Sequence, residues 1–177
     1  MCISNILYLC KQNKKIYGTS KMIKITQKLL DQIIVQAKQS PRKRINYNLH
    51  TSDDALLQRL LNALEPGTYI RPHKHETPPK HEVFTVLRGR LLLVEFEDDG
   101  AICDFVVLDK NTDTLAVEIP PQRFHTILSL ESGSVAFEFK EGPYIHETDK
   151  IFAEWAPKEG SDRVADYLEM IRKATGI

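Results

Sequence analysis

Between Tyr69 and Lys140, short runs rich in β-branched and aromatic residues alternate with turn sequences, a texture that a sandwich or barrel of strands accommodates. The runs cover residues 83–87, 91–96, 102–108, 115–119, 124–130 and 135–139. They are separated by Arg88-Gly89-Arg90, Asp98-Asp99-Gly100, Asn111-Thr112-Asp113 and Glu131-Ser132-Gly133. Upstream, Ile25, Leu29, Leu30, Ile33, Ile34 and Ala37 recur at helical spacing, and Pro41 closes that segment. Residues 42–50 alternate, with Ile45, Tyr47 and Leu49 on one side and Arg42, Arg44, Asn46, Asn48 and His50 on the other. Ser52-Asp53-Asp54 reads as an N-cap, predicting a second helix through Leu56, Leu57, Leu60, Leu61 and Leu64. Residues 151–155 are expected to form an edge strand or to cover the barrel, and Ser161-Asp162 to cap a closing helix.

These elements predict a mainly β protein with flanking N-terminal and C-terminal helices, divided into four stretches. Residues 1–21 read as a disordered leader or non-native start before Met22, and 22–66 as helices and a strand packed on the barrel. Residues 67–142 read as the barrel core and 143–177 as a tail and helix. At 177 residues and 42% hydrophobic content, one core can form without disulfides. Twenty-four basic side chains balance twenty-four acidic ones, which argues against a nucleic-acid or membrane-surface partner. Cys2, Cys10 and Cys103 form no CxxC pair and suit a reducing cytoplasm, with Cys103 expected as packing. The apolar opening stretch 3–10 is too short to span a bilayer and lacks a preceding basic region.

The chemistry concentrates in four residues. A strand through Tyr69, Arg71, His73 and His75 would aim alternate side chains at one face, so two imidazoles could converge. Glu82 opens the next run and His125 sits on a later one. If these strands meet across one barrel, three imidazoles and a carboxylate converge on a divalent metal (Fe, Mn, Zn, Ni or Co) with open positions. The rival reading is a metal-free polar pocket, and His81 rivals Glu82 as a ligand. His81 and Tyr69 are weak candidates for a catalytic base, and His146 reads as incidental. Arg44, Asn46, Asn48 and His50, with Arg71 and Arg123, either form a solvated face or line a mouth for an anionic, hydroxylated ligand. A sugar phosphate or nucleotide sugar would suit such a mouth. Glu138 and Lys140, alternating with Phe137 and Phe139, are expected on the outward face of their strand.

Gly67, His73-Lys74-His75, Glu82 and Gly89 together resemble the first cupin motif, with a longer gap between His75 and Glu82 than that motif usually carries. Pro120-Pro121-Gln122-Arg123-Phe124-His125 resembles the second, with Gln122 in place of its glycine and Ser129 in place of the following asparagine. The resemblance implies a β-jelly-roll barrel. A closer similarity, to the WbuC-type cupin-fold metalloproteins, is carried by residues 42–50, 64–73, 138–144 and 152–157 and runs from Met22 almost to the end. It implies a bacterial protein associated with O-antigen or other surface-polysaccharide (lipopolysaccharide) synthesis, in a family whose reaction is not established. Three functions follow as expectations: a metal-dependent sugar isomerase or epimerase, a non-haem iron oxygenase, or a non-catalytic sugar-binding or regulatory module. A homodimer is expected, since barrels of this kind pair through edge strands.

Overall fold

The computed structural model describes residues 22–177; the expected leader, Cys2 and Cys10 lie outside them. Two antiparallel five-stranded sheets face each other. The first runs in the order β1 (Arg44–Asn48), β2 (Leu57–Leu64), β9 (Ser134–Glu141), β4 (Glu82–Arg88), β7 (Ala116–Ile119). The second runs β10 (Ile151–Phe152), β3 (His73–Lys74), β8 (Phe124–Ser129), β5 (Arg90–Phe96), β6 (Ile102–Asp109). The six predicted β runs thus become β4 to β9, and the tail adds the edge strand β10.

Three apolar layers hold the sheets. Between them, Leu64, Phe84, Val86, Leu91, Leu93, Leu108, Ile119, Ile127 and Ala136 form the barrel core. Helix α1 (Gln27–Gln39) lays Leu30, Ile33, Ile34 and Ala37 over the outer face of the first sheet, against Leu61, Ala63 and Val135. Its N-terminus is capped by Thr26, whose hydroxyl accepts a hydrogen bond from the Leu29 amide at 3.3 Å. On the outer face of the second sheet, Leu92, Val94, Phe96, Phe124 and Leu128 meet the tail and helix α2 (Val164–Thr175). Trp155 packs its ring 5.1 Å from Phe96 and donates to the Asp98 carbonyl. Each fully buried leucine contributes about 1.5–3 kcal/mol. No helix among the described residues is long and apolar enough to cross a membrane.

The helix predicted from Ser52 through Leu64 does not form; residues 57–64 are β2, and Ser52 to Asp54 lie in the turn before it. The strand is covered on both faces, by the barrel core at Leu60, Asn62 and Leu64 and by α1 at Leu61 and Ala63. A doubly covered strand loses the polar alternation that betrays a half-buried one. β1 and β2 are consequently strands of the first sheet, whereas the sequence reads 22–66 as helices and a strand packed on the barrel. The Ser161 hydroxyl accepts from the Arg163 amide, one residue before α2, so it caps the approach to that helix and not its first turn. Cys103 is exposed rather than packed.

Glu159 of the tail clamps β1, accepting from Arg44 Nη2 at 2.8 Å and from Arg42 Nε at 2.8 Å. Burial would raise the Glu159 carboxyl, but the two guanidinium groups outweigh it and hold the group below its ordinary value of 4.5. The clamp therefore adds stability above that value and loses it as pH falls through the depressed folded one. Glu159→Gln should lower the thermal midpoint at pH 7, and the gap to the parent protein should close in strong acid.

Gly89 joins β4 to β5 at φ +71°, a conformation that L side chains rarely adopt. A Cβ built there would lie 2.8 Å from the Ser134 Cα, so the backbone of β9 would have to move. Gly89→Ala is expected to cost about 2–4 kcal/mol in denaturant unfolding, from the left-handed backbone plus overpacking.

Candidate metal centre

Strand register assembles the centre. His73 is paired directly with His125 across β3 and β8, and Glu82 opens β4 in the facing sheet. His75 follows β3 on the same side as His73. The four side chains are buried, and one ligand atom from each lies within 4.8 Å of the others. Glu82 Oε2 is 2.9 Å from His125 Nε2 and 3.2 Å from His75 Nε2. The His73 and His125 rings are 4.7 Å apart, centroid to centroid.

The outer nitrogens fix the tautomers. His73 Nδ1 faces the Arg71 carbonyl at 3.0 Å, His125 Nδ1 faces the Arg123 carbonyl at 2.9 Å, and His75 Nδ1 faces the Asp149 carbonyl. A carbonyl can only accept, so each Nδ1 carries the proton and each Nε2 presents its lone pair inward. This is the usual dressing of metal-bound imidazole. Burial, with the Lys150 charge and the neighbouring imidazoles, drives the His73 ring well below its ordinary value, which keeps it neutral. For Glu82, burial pushes upward, but the facing His125 and His75 rings and the Lys140 charge prevail and hold it well below its ordinary value. Three neutral nitrogens and one carboxylate, all buried and convergent, form a donor set that fits a divalent cation with coordination positions to spare.

The loop 76–81 explains the long gap between His75 and Glu82: it turns Lys80 inward until its side chain is 1% exposed. Lys80 and Lys140 each place Nζ 2.7 Å from an oxygen of Asp149, itself buried. Asp149 is thereby locked, and its carbonyl orients His75. Nothing in the local sequence of Lys80 or Asp149 announced this, because both lie in loops that meet only in the folded chain.

Glu138 and Lys140 correct the sequence reading. Both point inward, since Glu138 pairs with Leu60 and Phe84, while Phe137 and Phe139 face out and Phe137 packs toward α1. Alternation defines two faces of a strand but does not say which is inner. Glu138 accepts a hydrogen bond from Asn62 Nδ2, and burial together with the nearby Glu82 charge pushes its carboxyl up to about 8.

The other sequence candidates do not join the cluster. Tyr69 turns away beneath α2, donating to the Pro157 carbonyl at 2.7 Å and meeting Tyr167 edge to face. Strand geometry holds only at residues 73–74, so the alternation expected from Tyr69 onward breaks. His81 is exposed and pairs with Glu141 at 3.0 Å. Arg44 is engaged by Glu159 and the Tyr69 carbonyl, and Arg71 donates to the Ala153 carbonyl beside Phe152. Arg123 pairs with Glu95 at 2.6 Å and His50 Nδ1 accepts from the Arg59 amide. Asn46 and Asn48 are exposed, on the face of β1 that pairs with Asn62 and Leu60. Gln122 occupies φ +66°, so it supplies the left-handed turn that glycine gives in the second cupin motif, and its amide donates to the His75 carbonyl.

Two facing antiparallel five-stranded sheets that enclose an apolar core and a buried His/Glu cluster form a cupin-type double-stranded β-helix. One solved structure described by that fold aligns over most of this chain. A Klebsiella pneumoniae uncharacterized conserved protein with a double-stranded β-helix domain aligns at TM-score 0.52 and 15% identity, over 78% of this chain and 95% of that one. KdgF from Halomonas sp. aligns at TM-score 0.45 and 17% identity, over 59% and 82%. The capsular polysaccharide assembling protein CapF of Staphylococcus aureus aligns at TM-score 0.48 and 23% identity, over 63% of this chain but only 29% of its own length. Residues 25–108 match a family described as a domain of unknown function, DUF6016. No curated protein is a sequence match to this chain.

Neutralising Asp149 should expose how far the centre depends on it. Asp149→Asn leaves Lys80 and Lys140 as uncompensated buried cations, an expected cost of about 3–5 kcal/mol in urea unfolding. In the fraction that folds, displaced His75 should weaken metal affinity by about 10- to 100-fold in a zinc or manganese titration.

Proposed function

We propose that this chain is a metal-binding cupin that takes one divalent ion on His73, His75, Glu82 and His125. The observation that carries the reading is the convergence of three inward Nε2 lone pairs on one buried carboxylate. A bound ion would act as a Lewis acid, polarising a carbonyl or hydroxyl oxygen of a ligand at its open positions. The chain's own groups supply the rest: Glu138 and Asn62 offer hydrogen-bonding atoms beside the metal position, and Asn46 and Asn48 border the mouth. With the WbuC-type resemblance, these features favour an anionic sugar derivative of bacterial surface-polysaccharide synthesis as ligand, in the cytoplasm, with isomerisation or epimerisation as the reaction.

Elemental analysis of untagged protein is expected to find close to one metal ion per chain. His73→Ala and His125→Ala should each strip most of it, with α1 and the strands intact by circular dichroism. Parent protein that holds no metal after supplementation would overturn the reading. Iron accompanied by ligand-dependent oxygen uptake would replace isomerisation with oxygenation.

A further inference from the structure

The barrel interior holds more charge than the metal site needs. Lys80 and Lys140 are both consumed by Asp149. Lys150 has no hydrogen bond or ion pair of its own among the described residues, and it stands immediately before β10. Phe152 pairs with His73, so it shares the inward side of that ladder, and Lys150, two residues earlier, shares it too. Its charge acts on His73 and Glu138, and it stays exposed although protein crowds it. On the edge strands β1 and β10 the inward residues Asn46, Asn48 and Phe152 are likewise open to solvent, with Arg44 at the start of β1 buried, whereas the inward residues Asn62, Glu82, His125 and Glu138 of the neighbouring strands are buried. The barrel therefore opens between β1 and β10, with Lys150 at that opening.

A second unfilled group lies opposite. Asn62 is only 5% exposed and its Nδ2 is given to Glu138, yet its Oδ1 has no partner. A buried acceptor left unpaired is unfavourable unless something donates to it. Lysine offers an ammonium and Asn62 offers an acceptor, so the complementary molecule carries an anionic group and a hydroxyl.

We propose that Lys150 and Asn62 form a ligand subsite beside the metal position, in which Lys150 receives a carboxylate or phosphate and Asn62 Oδ1 accepts from a hydroxyl of the same molecule. This deepens the sugar-derivative reading above and rests on it for the carbohydrate nature of the ligand. It assigns anion recognition to a lysine that the sequence did not single out, because the three arginines that it did single out already have partners inside the protein.

The test is calorimetric titration of the full, metal-supplemented chain with glucuronate, glucose 6-phosphate and glucose, with metal content measured in parallel. At least one of the two anions should bind about tenfold or more tightly than glucose, as expected for a charge-assisted contact. Which anion wins tells carboxylate from phosphate. Lys150→Met should erase that preference at unchanged metal content, and Lys150→Arg should restore part of it. Anions that bind no better than glucose, or a preference that survives Lys150→Met, would overturn the proposal. Metal content separates the two readings: a Lys150-dependent preference in a protein that holds no metal would leave the subsite standing and remove the metal centre.

Discussion

The direct pairing of His73 with His125 is the contact on which the centre depends. It requires that β3, only two residues long, sit in one register against β8, because a slip of β3 by one residue would turn His73 and the following His75 out of the barrel while His125 stayed in place. So short a strand cannot fix its own register. It is held from both sides, by β10 through the pairings of Ile151 and Phe152, and by the Thr126 hydroxyl, which donates to the Ile70 carbonyl at 2.6 Å. The Ala153 amide adds a bond to the Pro72 carbonyl. The tail is therefore a working part of the site.

A second dependence runs through charge. Burying the Glu82 charge is unfavourable unless a positive charge offsets it; Lys140 supplies one nearby, and a cation held by the three Nε2 atoms would supply another. His75 in turn leans on Asp149, which is tolerated in the interior only because two lysines neutralise it. The apolar layer of Leu91, Leu93, Leu108 and Ile127 and the polar layer above it thus have different logics. The first gains from being kept from water, and the second must find a partner for every donor and acceptor.

How far the sequence reveals this follows from the range of each interaction. The cluster of His73, His75, Glu82 and His125 was legible because motif spacing reports strand positions, and strands β4 to β9 were legible because turns punctuate them. Strand β2 was not, since a segment buried on both faces carries leucines at spacings that imitate a helix. Glu138 and Lys140 were assigned to the wrong face because alternation is symmetric between inside and outside. Gln122 shows the opposite case: its residue type departs from the motif while its backbone keeps the motif's conformation. Lys80, Asp149 and Lys150 escaped notice because loop residues have no periodicity to read.

The fate of the arginines makes the general point about charge. Alternation placed Arg44, Asn46 and Asn48 on the same side of β1, and their pairing with Leu64, Asn62 and Leu60 confirms that shared face. Yet Arg44 is occupied by Glu159, a residue from the far end of the chain, just as Arg123 is occupied by Glu95. A guanidinium fork matched to a carboxylate is satisfied, and a ligand would have to displace that carboxylate to use it. What a site can offer to a ligand is the charge left after the protein has paired its own groups. That remainder depends on contacts between distant segments, so the local pattern locates the polar face while the folded chain selects which of its charges stay available.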